Sequence, residues 1–235
     1  LTTAAEQLAR SERESAWREM ARQVAHEIKN PLTPMKLGLQ HLHRAWKENH
    51  PDREQILDRM TKVLIEQIDA LSRIATEFSG FAQMPAANNS RFSLDDVLLS
   101  VVDLYSEHEH VKVVFDPEAE GDFIVEADKE QIMRVFSNLV KNAVQAVSDN
   151  GTGLVRVGVK QYDRRVTAWV SDNGVGISDE LKSRIFTPNF TTKSGGTGLG
   201  LAICQQIITQ AGGRIWFESE ENMGTVFHVE LPGVS

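Results

Sequence analysis

Glycine is nearly absent from the first third of the chain: of 16 glycines among 235 residues, only Gly38 and Gly80 fall within residues 1–81. A stretch so poor in the residue that most weakens helix interiors is free to form long helices. Two apolar patterns run through it. Ile28, Leu32, Met35, Leu39, Leu42 and Trp46 alternate spacings of four and three, as do Leu57, Met60, Leu64, Gln67, Leu71, Ile74, Phe78 and Phe81. Such spacing is the heptad-like seam of helices that pack along their length. Asn49, His50 and Pro51 interrupt the two patterns and predict a turn between antiparallel helices. Two helices bury little by themselves. A second copy would close the seams into a four-helix bundle, so the pattern predicts a homodimer; the alternative is a monomeric hairpin packed on the rest of the chain.

Residues 85–90 (PAANNS) read as a linker between a helical domain, 1–84, and a second domain, 91–235. In the second domain glycines cluster and short alternating runs rich in β-branched residues appear at 111–115, 154–159, 166–170, 215–218 and 225–231. Helical stretches lie at about 93–107, 129–148 and 197–211. Strands and helices without strict alternation predict an α+β two-layer sandwich, a mostly antiparallel sheet covered by helices on one face.

Composition narrows the partners. With 25 basic against 33 acidic residues the formal net charge is −8, and 41% of residues are hydrophobic, enough for a core. The acidic balance argues against nonspecific binding to nucleic acid or to anionic membrane. The single cysteine, Cys204, excludes an internal disulfide framework and a cysteine-built zinc site. No apolar run approaches the roughly 20 residues of a membrane span. Because the first residue is Leu1 and not Met, the chain is expected to be a fragment of something longer, and the part outside it has room for a membrane anchor.

The segment 25–32, AHEIKNPL, is the first chemical clue. His26 lies two residues from Val24 and from Ile28, which turns it about 160° away from each on a helix. Asn30 is one turn further along the same outward face. An exposed neutral imidazole carries a free lone pair and can act as a nucleophile. Glu27 is adjacent and could accept the other ring N–H, fixing the tautomer. Pro31 predicts a kink just after the histidine. Taken alone, a surface histidine beside a glutamate is ordinary solvated surface. That reading is kept for His41, His43, His50, His108, His110 and His228, whose spacing gives no helical metal pair.

Three clusters in the second domain add weight. On a predicted helix, Asn138 and Asn142 share a face one turn apart with Lys141 beside them, opposite a buried stripe of Ile132, Phe136, Leu139 and Ala143. Amide oxygens and an ammonium suit a hydrated Mg²⁺ and its phosphates; a merely polar helix face is the other reading. Next, Asp172-Asn173-Gly174-Val175-Gly176 follows a strand-like run. Its carboxylate can accept from an exocyclic amine, and its glycines admit a flat ring, although the same residues make a good plain turn. Third, Gly195-Gly196-Thr197-Gly198-Leu199-Gly200 runs into an apolar helix, whose first N–H groups form an anion site. The G-x-G-x-G spacing is neither the dinucleotide fingerprint nor a P-loop. Between the last two clusters, Phe186, Phe190 and Lys193 lie in a segment that reads as a lid.

In this order the clusters resemble the cytoplasmic core of a two-component sensor histidine kinase, across essentially the whole chain. AHEIKNPL is similar to that family's H box, NLVKNAVQA to its N box, DNGVGI to its G1 box, FTPNFTTK to its F box and GGTGLGLA to its G2 box. The wording of the H and N boxes is most similar to the nitrogen-regulation class. One departure is that Asn189 stands before Phe190 where the F box usually has two aromatics after its proline. The resemblance implies a dimerisation and histidine-phosphotransfer domain followed by an ATP-binding domain of the gyrase, Hsp90 and MutL (Bergerat) type. It implies His26 as phosphoacceptor, Glu27 as general base, and Asn30 as the residue that positions water for dephosphorylation of a partner. It implies Asn138 and Asn142 on Mg²⁺, Lys141 near the phosphates and Asp172 on the adenine amine, with Gly174 and Gly176 lining the base pocket. Gly196, Gly198, Leu199 and Gly200 would form the lid hinge and phosphate cradle, Phe190 part of the lid, and Lys193 a γ-phosphate contact. The implied partners are a second copy and a response-regulator receiver domain; the implied ligands are ATP and Mg²⁺. Two rival readings are an ATPase of the same nucleotide fold that drives clamp motion, which leaves His26 and Asn30 without a task, and a noncatalytic ATP-binding scaffold that sequesters a regulator.

Overall fold

The computed structural model describes residues 2–82, 87–106, 110–118, 121, 123–147, 153–187, 190–191 and 198–234. The chain divides into two units, one built on the helices of residues 1–83, the other on residues 84–190 and 198–234.

The first unit is a hairpin of α1 (Thr2–Lys47) and α2 (Arg53–Ala82). Its turn is closed by backbone chemistry that the Asn-His-Pro sequence supports. Asn49 adopts φ 50, its N–H donates to Trp46 O at 3.2 Å, and the His50 N–H donates to Ala45 O at 2.8 Å. These two bonds make a Schellman motif, with Asn taking the left-handed position it tolerates. Arg53 then donates to Asn49 Oδ1 at 2.7 Å and lies over the Trp46 ring at 5.0 Å.

The buried line of α1 differs from the expected seam. Val24, Pro31, Gly38 and Ala45, every seventh residue, are buried, with Met35 and Leu42 half-buried. Ile28, Leu32, Leu39 and Trp46 are 36%, 45%, 51% and 52% exposed. On α2, Ile56 and Ile74 are buried, while Leu57, Ile65 and Ile68 are exposed. The reason is size. Small residues let the two helices approach, and a Cβ added at Gly38 would already lie 2.9 Å from Met60 Sδ. Four bulky residues of the first seam therefore lie on a face the hairpin leaves open, whereas Met60, Leu64, Gln67 and Leu71 of the second seam are half-buried and Ile74 is buried. Phe78 and Phe81 of the second seam lie outside the described side chains.

The second unit is an α+β layer, as expected. A five-stranded sheet runs in the order β2 (Val111–Phe115), β4 (Gly153–Tyr162), β5 (Arg165–Asp172), β7 (Gly224–Pro232), β6 (Arg214–Glu220). Only the β2–β4 pair is parallel. The helices α3 (Leu94–Tyr105), α4 (Lys129–Ala146) and α6 (Gly200–Gln210) pack on it; α5 (Asp179–Lys182) is a single turn. Two further strands, β1 (Asn89–Ser93) and β3 (Ile124–Asp128), form an antiparallel pair that the sequence reading did not find. β1 takes up Asn89 and Ser90 of the segment read as linker. Both strands are five residues long and interrupted by charged side chains, so their alternation carries little signal.

The core lies between helices and sheet. Leu94, Val97, Leu98 and Val101 of α3 and Ile132, Val135, Phe136, Leu139 and Val140 of α4 are wholly buried. They meet the inward rows of the strands: Val155, Val157 and Val159 on β4, Val166, Ala168 and Val170 on β5, Phe227, Val229 and Leu231 on β7. Asp128 caps α4, accepting from the Gln131 N–H at 3.1 Å. Burial works to raise this carboxyl, but N–H bonds from Asn88, Gln131 and Glu130 outweigh it and hold the group below its ordinary value. Cys204 is buried in α6, and burial pushes its thiol up to about 12. Among the described residues no helix is long and apolar enough to cross a membrane.

Candidate functional site

On α1 the H-box residues stand as their spacing predicts. His26 and Asn30 are exposed, Glu27 is half-buried, and Val24 and Pro31 are buried. The helix continues through Pro31 and Pro34, so the kink expected at Pro31 does not end it. Neither proline has an N–H to give the helical ladder, and Thr33 Oγ1 donates back to Lys29 O at 3.0 Å. The backbone next to His26 is therefore held by fewer ladder bonds than the rest of α1.

In the second unit α4 organises the site. Asn142 donates from Nδ2 to Asn138 Oδ1 at 3.0 Å, and both are half-buried; Lys141 is exposed beside them. The start of α6 lies against this pair, because a Cβ added at Gly200 would come within 2.5 Å of Asn138 Nδ2. A side chain at position 200 would have to displace the Asn138 amide. α6 starts at Gly200, three residues later than expected, with buried Leu199 at the N-cap position and no side chain capping the first N–H groups. Gly198 precedes it in the left-handed region. An uncapped helix start presents N–H donors to an anion.

The Asp172 cluster lies at the C-terminal end of α4, beyond Asn142. The inward row Val166, Ala168, Val170 on β5 ends in Asp172, so strand alternation carries a carboxylate into the helix-facing side, where it is 8% exposed. The Gly174 N–H donates to Asp172 Oδ1 at 2.9 Å. The loop is tied on three sides. Val175 N–H donates to Ala146 O, at the end of α4, at 3.1 Å. Asn173 exchanges bonds with Leu154 of β4, its Oδ1 accepting at 2.9 Å. Asn222, in the β6–β7 hairpin, donates to Val175 O at 2.8 Å. Gly176 has φ 66, and a side chain there would strike the Glu220 carbonyl; one at Gly174 would strike the Ala146 carbonyl. The plain turn allowed by the sequence is thus a turn fastened between α4 and the β6–β7 hairpin.

From Asn138 to Ala146 the helix rises about 12 Å. A buried carboxylate that accepts hydrogen bonds lies at one end, Asn142 and Lys141 lie between, and Asn138 and a helix N-terminus lie at the other end. This arrangement has the polarity of a nucleotide, an amine-bearing base followed by phosphates. The metal chemistry also fits. Among the described residues no group of three or more His, Cys, Asp or Glu could hold an ion. The oxygens on offer are neutral amides, and one lone pair of Asn138 Oδ1 is committed to Asn142. Such a pair suits an ion that brings water and phosphate ligands with it. Phe190 is half-buried, its N–H donates to Thr187 O at 3.2 Å, and Arg184 lies 4.7 Å from its ring centroid. Lys193 and Gly196 lie outside the described residues.

The sequence reading missed Thr225 and Ser219. Thr225 faces Asp172 directly across β5 and β7 and is 4% exposed. It heads the inward row of Phe227, Val229 and Leu231, so a hydroxyl at a position the alternation assigns to the core was the available signal. Gly224, with φ 102, lies so close to the Asp172 carbonyl that a side chain there would collide with it.

Comparison with known proteins agrees with this geometry. Residues 16–86 match the family described as the His Kinase A (phospho-acceptor) domain, and residues 127–235 match the histidine kinase-, DNA gyrase B-, and HSP90-like ATPase. The nitrogen regulation protein NtrY of Azorhizobium caulinodans is 34% identical, over 89% of this chain and 28% of its own length. Sporulation kinase D of Bacillus subtilis is 33% identical, over 96% of this chain and 44% of its own. The chain thus spans less than half the length of these relatives. Among solved structures, the catalytic domain of histidine kinase ThkA is 39% identical with a TM-score of 0.56, covering 62% of this chain and 95% of that one. Histidine kinase ThkA in complex with response regulator protein TrrA is 31% identical with a TM-score of 0.77, covering 100% of this chain and 67% of that one. With a phospho-acceptor domain and a kinase-type ATPase domain in the order its motifs predict, the chain belongs to the sensor histidine kinase family.

Proposed function

We propose that the chain transfers the γ-phosphoryl group of ATP to His26 and then to an aspartate on a response-regulator receiver domain. In this reading residues 1–84 form the dimerisation and phosphotransfer domain, and residues 91–235 the catalytic ATP-binding domain. The observation that carries it is the line of groups along α4, from Asp172 at its C-terminal end through Asn142 to Asn138 and the start of α6, in a chain whose H box places His26 on an exposed helix face.

The residues divide the work. Asp172 accepts from the adenine amine while Gly174 and Gly176 leave room for the ring. Asn138 and Asn142 would hold Mg²⁺, which when bound neutralises charge on the phosphate oxygens. Lys141, Lys193 and the N–H groups from Gly196 to Gly200 are assigned to the phosphates, and Phe190 and Leu199 to the lid. A lone pair of His26 attacks the γ-phosphorus; the N–P bond forms, the bond to the bridging oxygen breaks, and ADP leaves. Glu27 stabilises the cationic ring by accepting its other N–H proton. In the reverse sense of signalling, Asn30 orients a water toward a phosphorylated regulator. The complex of the related ThkA with TrrA supports a regulator as partner. The exposed apolar residues of α1 and α2 support a homodimer that completes a four-helix bundle.

The test is incubation with Mg-ATP followed by mass spectrometry. Phosphohistidine is expected at residue 26, and His26→Gln should lose all label while still binding ATP. Equal labelling of the His26→Gln variant would overturn the assignment.

A further inference from the structure

Asp172, Thr225 and Ser219 form one row across three strands, because Asp172 pairs with Thr225 and Thr225 with Ser219. The next row, Val170, Phe227 and Phe217, is apolar. Ser219 therefore stands at the polar end of the sheet, two strands from the Asp172 carboxylate. Its Oγ lies 2.9 Å from three groups: the Ile177 N–H, the Gly224 carbonyl and Thr225 Oγ1.

A hydroxyl has one proton and two lone pairs, which decides the direction of each bond. The Gly224 carbonyl can only accept, so the Ser219 proton goes to it. The Ile177 N–H occupies one lone pair of Ser219. The Thr225 hydroxyl must then donate into the other. Two consequences follow. The far end of the loop 172–177 is anchored to β6 through Ile177. The Thr225 proton is committed to Ser219, so toward the Asp172 side Thr225 offers lone pairs only.

We propose that Ser219 is a positioning residue of the nucleotide site: it fastens the base-binding loop and holds the Thr225 hydroxyl as a hydrogen-bond acceptor. Beside the Asp172 carboxylate, an acceptor-only Thr225 leaves that side of the pocket with acceptors alone, so a base is held there through its N–H groups. With Ser219 removed, Thr225 can rotate and donate, and the loop loses its tie at Ile177. This inference rests on the reading of the pocket as the ATP site.

The experiment compares the wild-type chain with Ser219→Ala, Ser219→Thr and Thr225→Val, reading Kd for ATP by calorimetry and the autophosphorylation rate at saturating ATP. Ser219→Ala is expected to raise Kd for ATP about tenfold, with the saturated rate changed less than about twofold. Ser219→Thr, which keeps the hydroxyl, should restore the affinity. Thr225→Val, which leaves Ser219 bonded to Ile177, should also raise Kd for ATP, and it carries the test if Ser219→Ala fails to fold. Unchanged affinity in Ser219→Ala, or a weakening that Ser219→Thr does not rescue, overturns the proposal alone. A wild-type chain that does not bind ATP overturns the pocket reading and this inference with it.

Discussion

Gly176 is the residue at which backbone, packing and chemistry meet most tightly. Its φ of 66 is a conformation that costs other residues about 1–2 kcal/mol. A side chain there would also run into the Glu220 carbonyl, a backbone atom of β6 that cannot swing aside. Gly176→Ala should therefore displace either the loop or the hairpin. Kd for ATP is expected to rise about tenfold or more by calorimetry, with His26 labelling falling at low ATP and recovering at saturation. Unchanged affinity would show that the loop does not line the base pocket. Asp172 is legible as an acceptor from its place after a strand. Its burial, and the Gly174 N–H that holds its carboxylate, required β5 to be inside a sheet.

At the scale of elements, the β6–β7 hairpin has two faces with different tasks. Its inner face carries Ser219 and Thr225 to the loop, while its outer face stacks His228 on Trp216, with ring centroids 5.0 Å apart and 13° between planes. Burial drives the His228 imidazole below its ordinary value; Glu218, 3.7 Å away, opposes this, and Lys160 adds to it. The folded hairpin thus binds a proton less readily than the unfolded chain, whose histidines titrate near about 6.5. Stability is full above that pH and is lost as pH falls toward the lower folded-state value, since protons favour the unfolded state in that window. Chemical denaturation of the second unit at about pH 7.5 and pH 5.5 should show the loss, and His228→Phe, which keeps the stack, should reduce it. An equal pH dependence in the variant would remove His228 as its source.

For the whole molecule, the exposed faces of the hairpin matter most. Leu32, Leu39 and Trp46 recur every seven residues on α1, one position after the buried Pro31, Gly38 and Ala45. Leu57 holds the same relation to buried Ile56 on α2. A second copy covering these residues would remove three large side chains of α1 from water, each contributing about 1.5–3 kcal/mol if fully buried. Leu39→Glu places a charge on that line and leaves the Gly38–Met60 contact alone. Light scattering is expected to give twice the 26.2 kDa chain mass for the wild type and the single mass for the variant. A variant that keeps the doubled mass would place the dimer contact elsewhere.

Local pattern was enough for the helical hairpin, the α+β class of the second unit and the groups offered by its motifs, because helix and strand periodicity, turn chemistry and glycine placement act within a few residues of one another. The exposed position of His26, the shared face of Asn138 and Asn142 and the place of Asp172 at a strand end were legible this way. What tertiary structure alone decided was which apolar face of α1 meets α2. The small residues that permit close approach carry no hydrophobic signal. It also decided that a serine and a threonine on neighbouring strands share a row with Asp172. Register across β5, β7 and β6 joins residues 47 and 53 positions apart, a proximity created by strand pairing and invisible to any local window.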